Sequence, residues 1–403
     1  MNLFFNIEQF TGEAITGRKE SLLQQDLLDH HDSVYREVHD KSVLVIGGAG
    51  TIGSSFIRAL IRYKPKKLVV ADINENGLTE LVRDCRSRKD ISLPPDFKSY
   101  PVNFGDKVFE KIFRQEGTFD IVANFAAHKH VRSEKDVFSI EAMIENNVLR
   151  AKRLLDLLLQ YPPQHFFCVS TDKAANPVNI MGASKKLMEE VILAYSGTLN
   201  ITTARFANVA FSNGSLLAGF IERVMKQQPL SCPSDVKRFF VSPQESGEIC
   251  LLACVLGQSG EIFFPRLNEE KEMVNFADIV TPFLHRMGLE PQVCGSEAEA
   301  REKAAAMKDN KYPVYFFASE TSGEKLYEEF YTDEEELQLD RFQRLGVIRN
   351  APRRSREELD KMIGEIEELF TGDVNKSTIV QLLNKLLPNF QHIETGMNLD
   401  QKM

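Results

Sequence analysis

The stretch Ser42-Val43-Leu44-Val45-Ile46-Gly47-Gly48-Ala49-Gly50-Thr51-Ile52-Gly53 decides the fold. Its first residues are a short apolar, β-branched run, which reads as a buried strand. Glycines at 47, 50 and 53 follow, and Thr51 to Arg62 then reads as a helix. Gly47 permits a tight turn, Gly50 lets backbone approach a pyrophosphate, and Gly53 lets the helix pack close to the strand. A helix starting at Thr51-Ile52 offers free N–H groups and a partial positive charge to phosphates. About twenty residues further on, Asp72 ends the next apolar run, Leu68–Asp72. An acid there accepts hydrogen bonds from an adenosine ribose 2′-OH and repels a 2′-phosphate, which favours NAD over NADP.

Outward from this turn, strand-like and helix-like stretches alternate. Asn76–Arg86 reads as helix, Lys98–Asn103 as strand, and Asp106 as the cap of a helix reaching Glu116. Asp120–Phe125, His165–Ser170 and Ile201–Arg205 read as strands, and Ile140–Gln160 and Ser184–Tyr195 as helices. Such alternation means an α/β fold, a doubly wound parallel sheet whose ligands sit beyond the carboxyl ends of its strands. Asn103 ends the third strand, where it reaches an adenine edge or serves as a turn residue. Ala126 and Ala127 follow the fourth strand and are small enough for the chain to pass close to a nicotinamide ribose.

The 403 residues allow two or three domains. Residues 1–40 read as a helical extension, with Leu23, Leu27, Val34 and Val38 at helical intervals, packing on the body or on a second subunit. Residues 41–205 form the dinucleotide-binding domain, to which 241–265 return. Residues 206–240 and 266–335 form a smaller substrate domain, and 336–403 a helical C-terminal extension. The acidic run 333–336 and residues 355–370 read as solvated helical faces. Net charge is -9, against a general nucleic-acid binder. No apolar run approaches the length of a membrane helix. Six scattered cysteines form no CxxC pair and no zinc-like cluster, as expected of thiols in a reducing cytoplasm.

The fifth strand ends in Ser170-Thr171-Asp172-Lys173-Ala174, and Pro177, Asn179 and Met181-Gly182-Ala183-Ser184-Lys185 follow. This segment resembles the extended short-chain dehydrogenase/reductases, and among them the UDP-N-acetylglucosamine 4,6-dehydratases of capsule and flagellin sugar biosynthesis. GGAGTIGSS at 47–55, AAHKHV at 126–131, ARFANVAFSNGS at 204–215, KRFF at 237–240 and SGEKLYEE at 322–329 carry the same resemblance. Ile15-Thr16-Gly17-Arg18 is similar to the segment that precedes this domain in longer, membrane-anchored members.

The resemblance implies a redox-neutral reaction on a UDP-sugar: oxidation at C4 by NAD, loss of water across C5 and C6, and return of the hydride to C6. It gives Lys173 the role of base at C5, with a pKa lowered by burial beside other cations. Asp172 is the acid for the C6 oxygen, with a raised pKa. Thr171 hydrogen-bonds the C4 oxygen, and Lys185 holds the nicotinamide ribose. Asn208 and Arg238 contact the sugar diphosphate, with Lys129 and Lys325 as further cations. Most of the superfamily has Tyr where this chain has Met181. A thioether carries no proton, so Met181 packs over the sugar and the C4 proton goes to Asp172, Thr171 or Lys173. In this superfamily an Asn at the position of Asn147 braces the active-site lysine; a buried helix Asn without that task is the other reading. The alternatives are a 4-epimerase, which needs neither C5 base nor C6 acid, and a non-catalytic NAD-binding regulator. Self-association into a homo-oligomer is expected from the family.

Overall fold

The computed structural model describes residues 5–307, 309–319 and 329–393. Its first six strands are β1 (Ser42–Ile46), β2 (Lys67–Asp72), β3 (Asp96–Pro101), β4 (Ile121–Asn124), β5 (His165–Val169) and β6 (Ile201–Ala204). Then come β7 (Asn208–Val209), β8 (Leu230–Pro233), β9 (Lys237–Val241), β10 (Glu261–Pro265), β11 (Met273–Asn275), β12 (Glu290–Cys294) and β13 (Lys311–Phe317). The last are β14 (Leu337–Gln338) and β15 (Leu345–Ile348). The main sheet runs β3-β2-β1-β4-β5-β6-β10-β15-β14. It is parallel from β3 to β10; β15 runs antiparallel to β10, and β14 to β15. Every residue of β1, β5 and β10 is buried, because helices cover both faces. This is the doubly wound α/β fold, and its strand order reverses between β1 and β4, where such sheets open a crevice.

Two three-stranded sheets, β11-β9-β7 and β12-β13-β8, form beside the main sheet from strands that follow β6 in the chain. Their apolar cluster, with Phe211, Phe220 and Phe283 at its centre, is separate from the main core. The N-terminal extension packs on the body, Phe10 and Ile15 in the smaller cluster and Leu23, Val34 and Val38 in the main one. Between them Arg18 binds Glu245 and Glu272 and donates to the Phe240 carbonyl. The leader thereby ties the two cores together.

The structure departs from the sequence reading in four places. Helix Ile180–Ala194 starts four residues before Ser184, because the Asn179 side chain caps it by accepting from Gly182 N at 2.7 Å. The long helix is interrupted at Glu145–Leu149 by a π turn, a feature frequent at functional sites. Residues 333–336 form no helix, and β14 and β15 extend the main sheet where a helical extension was expected. Helix Arg356–Leu369 is solvated on one face only; Leu359, Met362, Ile363 and Ile366 are buried in the main core.

The acidic run fails as a helix because Glu335 has a buried partner. Arg205, fully buried at the end of β6, donates to Glu189 at 2.9–3.0 Å and to Glu335 at 2.8 Å. Burial alone would raise the pKa of Glu189, but Arg205 and Lys186 outweigh it and hold the group at about 2. Ser170 Oγ adds a hydrogen bond to Glu189 at 2.7 Å. Arg205→Ala strands two carboxylates without their cation. It should lower unfolding free energy by about 3–5 kcal/mol in urea titrations, and a loss under about 1 kcal/mol would remove the network from this role.

Candidate active site

The turn after β1 is built at the limit of close approach. Gly47 has φ +75°, and a Cβ there would lie 2.5 Å from Ala126 N, beyond the end of β4. A Cβ on Gly53 would lie 2.3 Å from the Gly47 carbonyl oxygen. Both positions need glycine. Asp72 closes the turn from β2: one oxygen accepts from Ala49 N and the other from Asn74 N, each at 2.9 Å. Thr51 Oγ1 accepts from Asn213 N at 3.0 Å, joining the helix start to the loop after β7. Ala126 N donates to Asn124 Oδ1 at 3.0 Å, which shapes the strand-end turn. Asn103 falls past the end of β3, and its Oδ1 accepts from Gly105 N at 2.9 Å in an Asx turn.

A cavity of about 320 Å³ lies beyond the ends of β4, β5 and β6. Thr171, Lys173, Met181 and Lys185 come to its wall from the catalytic segment, Lys129 from the loop after β4 and Asn208 from β7. Ile52 and Ala127 line it as well, and Phe206, Phe240 and Phe276 make it apolar. Its mouth adjoins a second cavity of about 430 Å³, with Arg132 and Arg223 on the wall. Both cavities share Lys129, His130 and Ser215, the last the N-cap of helix Leu216–Met225. The two arginines were not singled out in the sequence, because an arginine carries no spacing signal of its own.

Asp172 does not line the first cavity. It sits in the short turn Asp172–Ala174, and one carboxylate oxygen accepts from Thr171 Oγ1 at 2.9 Å, Lys173 N at 2.9 Å and Lys173 Nζ at 3.1 Å. The Lys173 amine, expected among cations, is therefore held first by a carboxylate. Lys185 is 3% exposed and is no surface lysine. Its Nζ donates to the Val169 carbonyl at 2.6 Å, and burial lowers its pKa. Arg238, expected at the diphosphate, is buried in β9, donates to the Lys237 carbonyl and is not among the cavity-lining residues. Lys325 lies outside the described residues.

Asn147 sits inside the π turn and is 1% exposed. Its Oδ1 accepts from His128 N at 2.9 Å, and its Nδ2 donates to the His128 carbonyl at 2.9 Å and to Ser184 Oγ at 3.0 Å. One side chain thus clamps the loop carrying Lys129 to the helix carrying Met181 and Lys185. Asn147→Ala should cost about 1–3 kcal/mol in chemical unfolding, because the His128 backbone loses both partners. Unchanged stability would show that water replaces the amide.

A family model described as polysaccharide biosynthesis protein matches residues 43–350. The chain is 29% identical over 316 residues to an uncharacterized membrane protein of Methanocaldococcus jannaschii, covering 77% of this chain and 86% of that one. It is 26% identical over 334 residues to the capsular polysaccharide biosynthesis protein CapD of Staphylococcus aureus, covering 82% of this chain and 50% of the relative, so it spans half of that protein's length. It is also 26% identical over 373 residues to a UDP-glucose 4-epimerase of Rickettsia akari, covering 88% and 97%. Among solved structures it resembles Pen from Bacillus thuringiensis, with a TM-score of 0.63, 20% identity and coverage of 82% and 98%. It also resembles DesIV, a dTDP-glucose 4,6-dehydratase of Streptomyces venezuelae determined with NAD bound, with a TM-score of 0.55, 19% identity and coverage of 72% and 88%. At these identities the two structures speak for the fold. No helix of the described residues is long and apolar enough to cross a membrane.

Proposed function

Since the chain belongs to the polysaccharide biosynthesis protein family, we propose that it is a sugar-nucleotide 4,6-dehydratase acting on UDP-N-acetylglucosamine. Its product would be a UDP-4-keto-6-deoxy-N-acetylhexosamine. The observation that carries this reading is the Lys173–Asp172 pair at 3.1 Å, with Lys173 and Thr171 on the cavity wall. A 4-epimerase needs no such pair.

The residues around Gly50 fit a dinucleotide. Gly47, Gly48 and Gly53 leave no room for a Cβ, while a Cβ on Gly50 would touch only the Gly47 oxygen, at 3.4 Å, so its outer face is open. Gly47, Gly50, Thr51, Ile52 and Gly53 would hold the pyrophosphate, Asp72 and Asn103 the adenosine, and Ala126, Ala127 and Lys185 the nicotinamide ribose. Bound NAD supplies the acceptor and donor of a hydride.

The chain's own residues account for the proton chemistry. Proton transfer from Lys173 to Asp172, already in contact, leaves a neutral amine and a carboxylic acid. The amine takes the C5 proton. The acid gives its proton to the departing C6 oxygen through the Thr171 hydroxyl, which touches Asp172 and lines the cavity. Elimination leaves an ammonium and a carboxylate, and the ammonium returns a proton to C5 as the hydride returns to C6. Met181 carries no proton, so the C4 proton leaves by way of the Thr171 hydroxyl to solvent water, and a solvent proton restores Lys173 at the end of the cycle. Lys129 and Asn208 face the sugar, and the adjoining cavity with Arg132 and Arg223 would take the uridine diphosphate.

The relationship to curated UDP-glucose 4-epimerases favours C4 epimerisation as the second reading. Incubation with UDP-N-acetylglucosamine in D2O, read by NMR, separates the two. A dehydratase places deuterium at C5 of a 4-keto product; an epimerised sugar without label at C5 would overturn the proposal. Lys173→Met should lower the elimination rate by about 10²–10⁴-fold while NAD binding by calorimetry stays unchanged. Retained turnover would remove Lys173 from its role.

A further inference from the structure

The match to the family ends at residue 350, yet the chain beyond it folds back onto the helix that carries Met181 and Lys185. Helices Arg356–Leu369 and Lys376–Leu386 bury Leu359, Met362, Ile366, Ile379 and Leu383 in the main core. Arg354 fixes their start by pairing with Glu190 on helix Ile180–Ala194. The chain then runs along the loop that precedes this helix. Gln391 N donates to the Pro177 carbonyl at 3.2 Å and Ile393 N to the Val178 carbonyl at 3.0 Å.

Between these two bonds the His392 side chain turns inward and is only 10% exposed. Its Nε2 faces the buried carboxylate of Glu134 at 3.9 Å and makes no hydrogen bond among the described residues. The other oxygen of Glu134 accepts from Met181 N at 2.9 Å. A line of contact therefore runs from the tail through Glu134 to the backbone of a residue on the cavity wall. A buried imidazole nitrogen without a partner is costly unless it meets an acceptor, and Glu134 is the acceptor in reach. Small displacements of a catalytic wall are costly in rate even when the change is made outside it.

We propose that residues 391–393 form a strap that seats the start of helix Ile180–Ala194, and that His392 is a positioning residue acting on Met181 through Glu134. Its kinetic consequence rests on the dehydratase reading; its structural consequence does not.

The test compares His392→Ala and His392→Gln in the full chain by hydrogen–deuterium exchange and by steady-state kinetics on UDP-N-acetylglucosamine. In His392→Ala, exchange at residues 178–183 should rise, with peptides from β1 to β4 unchanged. In the same variant kcat should fall roughly tenfold, with KM within about twofold. The Gln amide can donate to Glu134 from the position of Nε2, so His392→Gln should restore both. Wild-type exchange at residues 178–183 in the Ala variant would overturn the strap, as would an increase spread evenly over the chain without rescue by Gln. A wild-type chain that turns over no sugar nucleotide would sink the dehydratase reading while exchange still decides the strap.

Discussion

Three backbones meet where no side chain fits. Gly47 lies against the end of β4 at Ala126, and Gly53 lies against the Gly47 carbonyl. This contact sets the distance between β1, the following helix and β4, and the crevice opens at that reversal of strand order. Asp72 secures the turn from the neighbouring strand by accepting from Ala49 N and Asn74 N. Everything placed at the ends of β4, β5 and β6 is positioned relative to this fixed corner.

The segment from Ser170 to Lys185 is held from two sides. Below it, Ser170 reaches Glu189, and Glu189 reaches Arg205, which also binds Glu335. Ion pairs this deeply buried hold only while both partners are present, so the network constrains the segment from Ser170 to Lys173 more than it adds net stability. Beside it, Asn147 joins the loop after β4 to Ser184. The π turn around Asn147 widens the helix locally, and the side chain meets both elements from there.

The parallel sheet was legible because its inner strands, such as β1, β4 and β5, are buried on both faces and read as continuous apolar runs ending in turn residues. The glycine turn was legible because Gly47 and Gly53 each answer a separate steric demand. The segment from Ser170 to Lys185 was singled out through resemblance, and the structure brings Thr171, Lys173, Met181, Lys185, Lys129 and Asn208 to one cavity. Other features depend on partners far away in the chain. The run Asp333-Glu334-Glu335-Glu336 reads as a solvated helix until Arg205, far upstream, is seen to claim Glu335. The two strands after it are short, and β15 gains its place only by pairing with β10. The tail's grip on the Pro177–Val178 loop is made by backbone groups and leaves no trace in residue types.

The central claim is spatial: one crevice holds a dinucleotide over Gly50 and presents a hexose to Lys173. A crystal structure with NAD and a UDP-sugar tests it most directly. The account predicts pyrophosphate density at the start of helix Thr51–Ile61 and the hexose C5 facing Lys173 Nζ, with uridine diphosphate running toward Arg132 and Arg223. A hexose bound away from Lys173, or a dinucleotide bound anywhere but over Gly50, would contradict it.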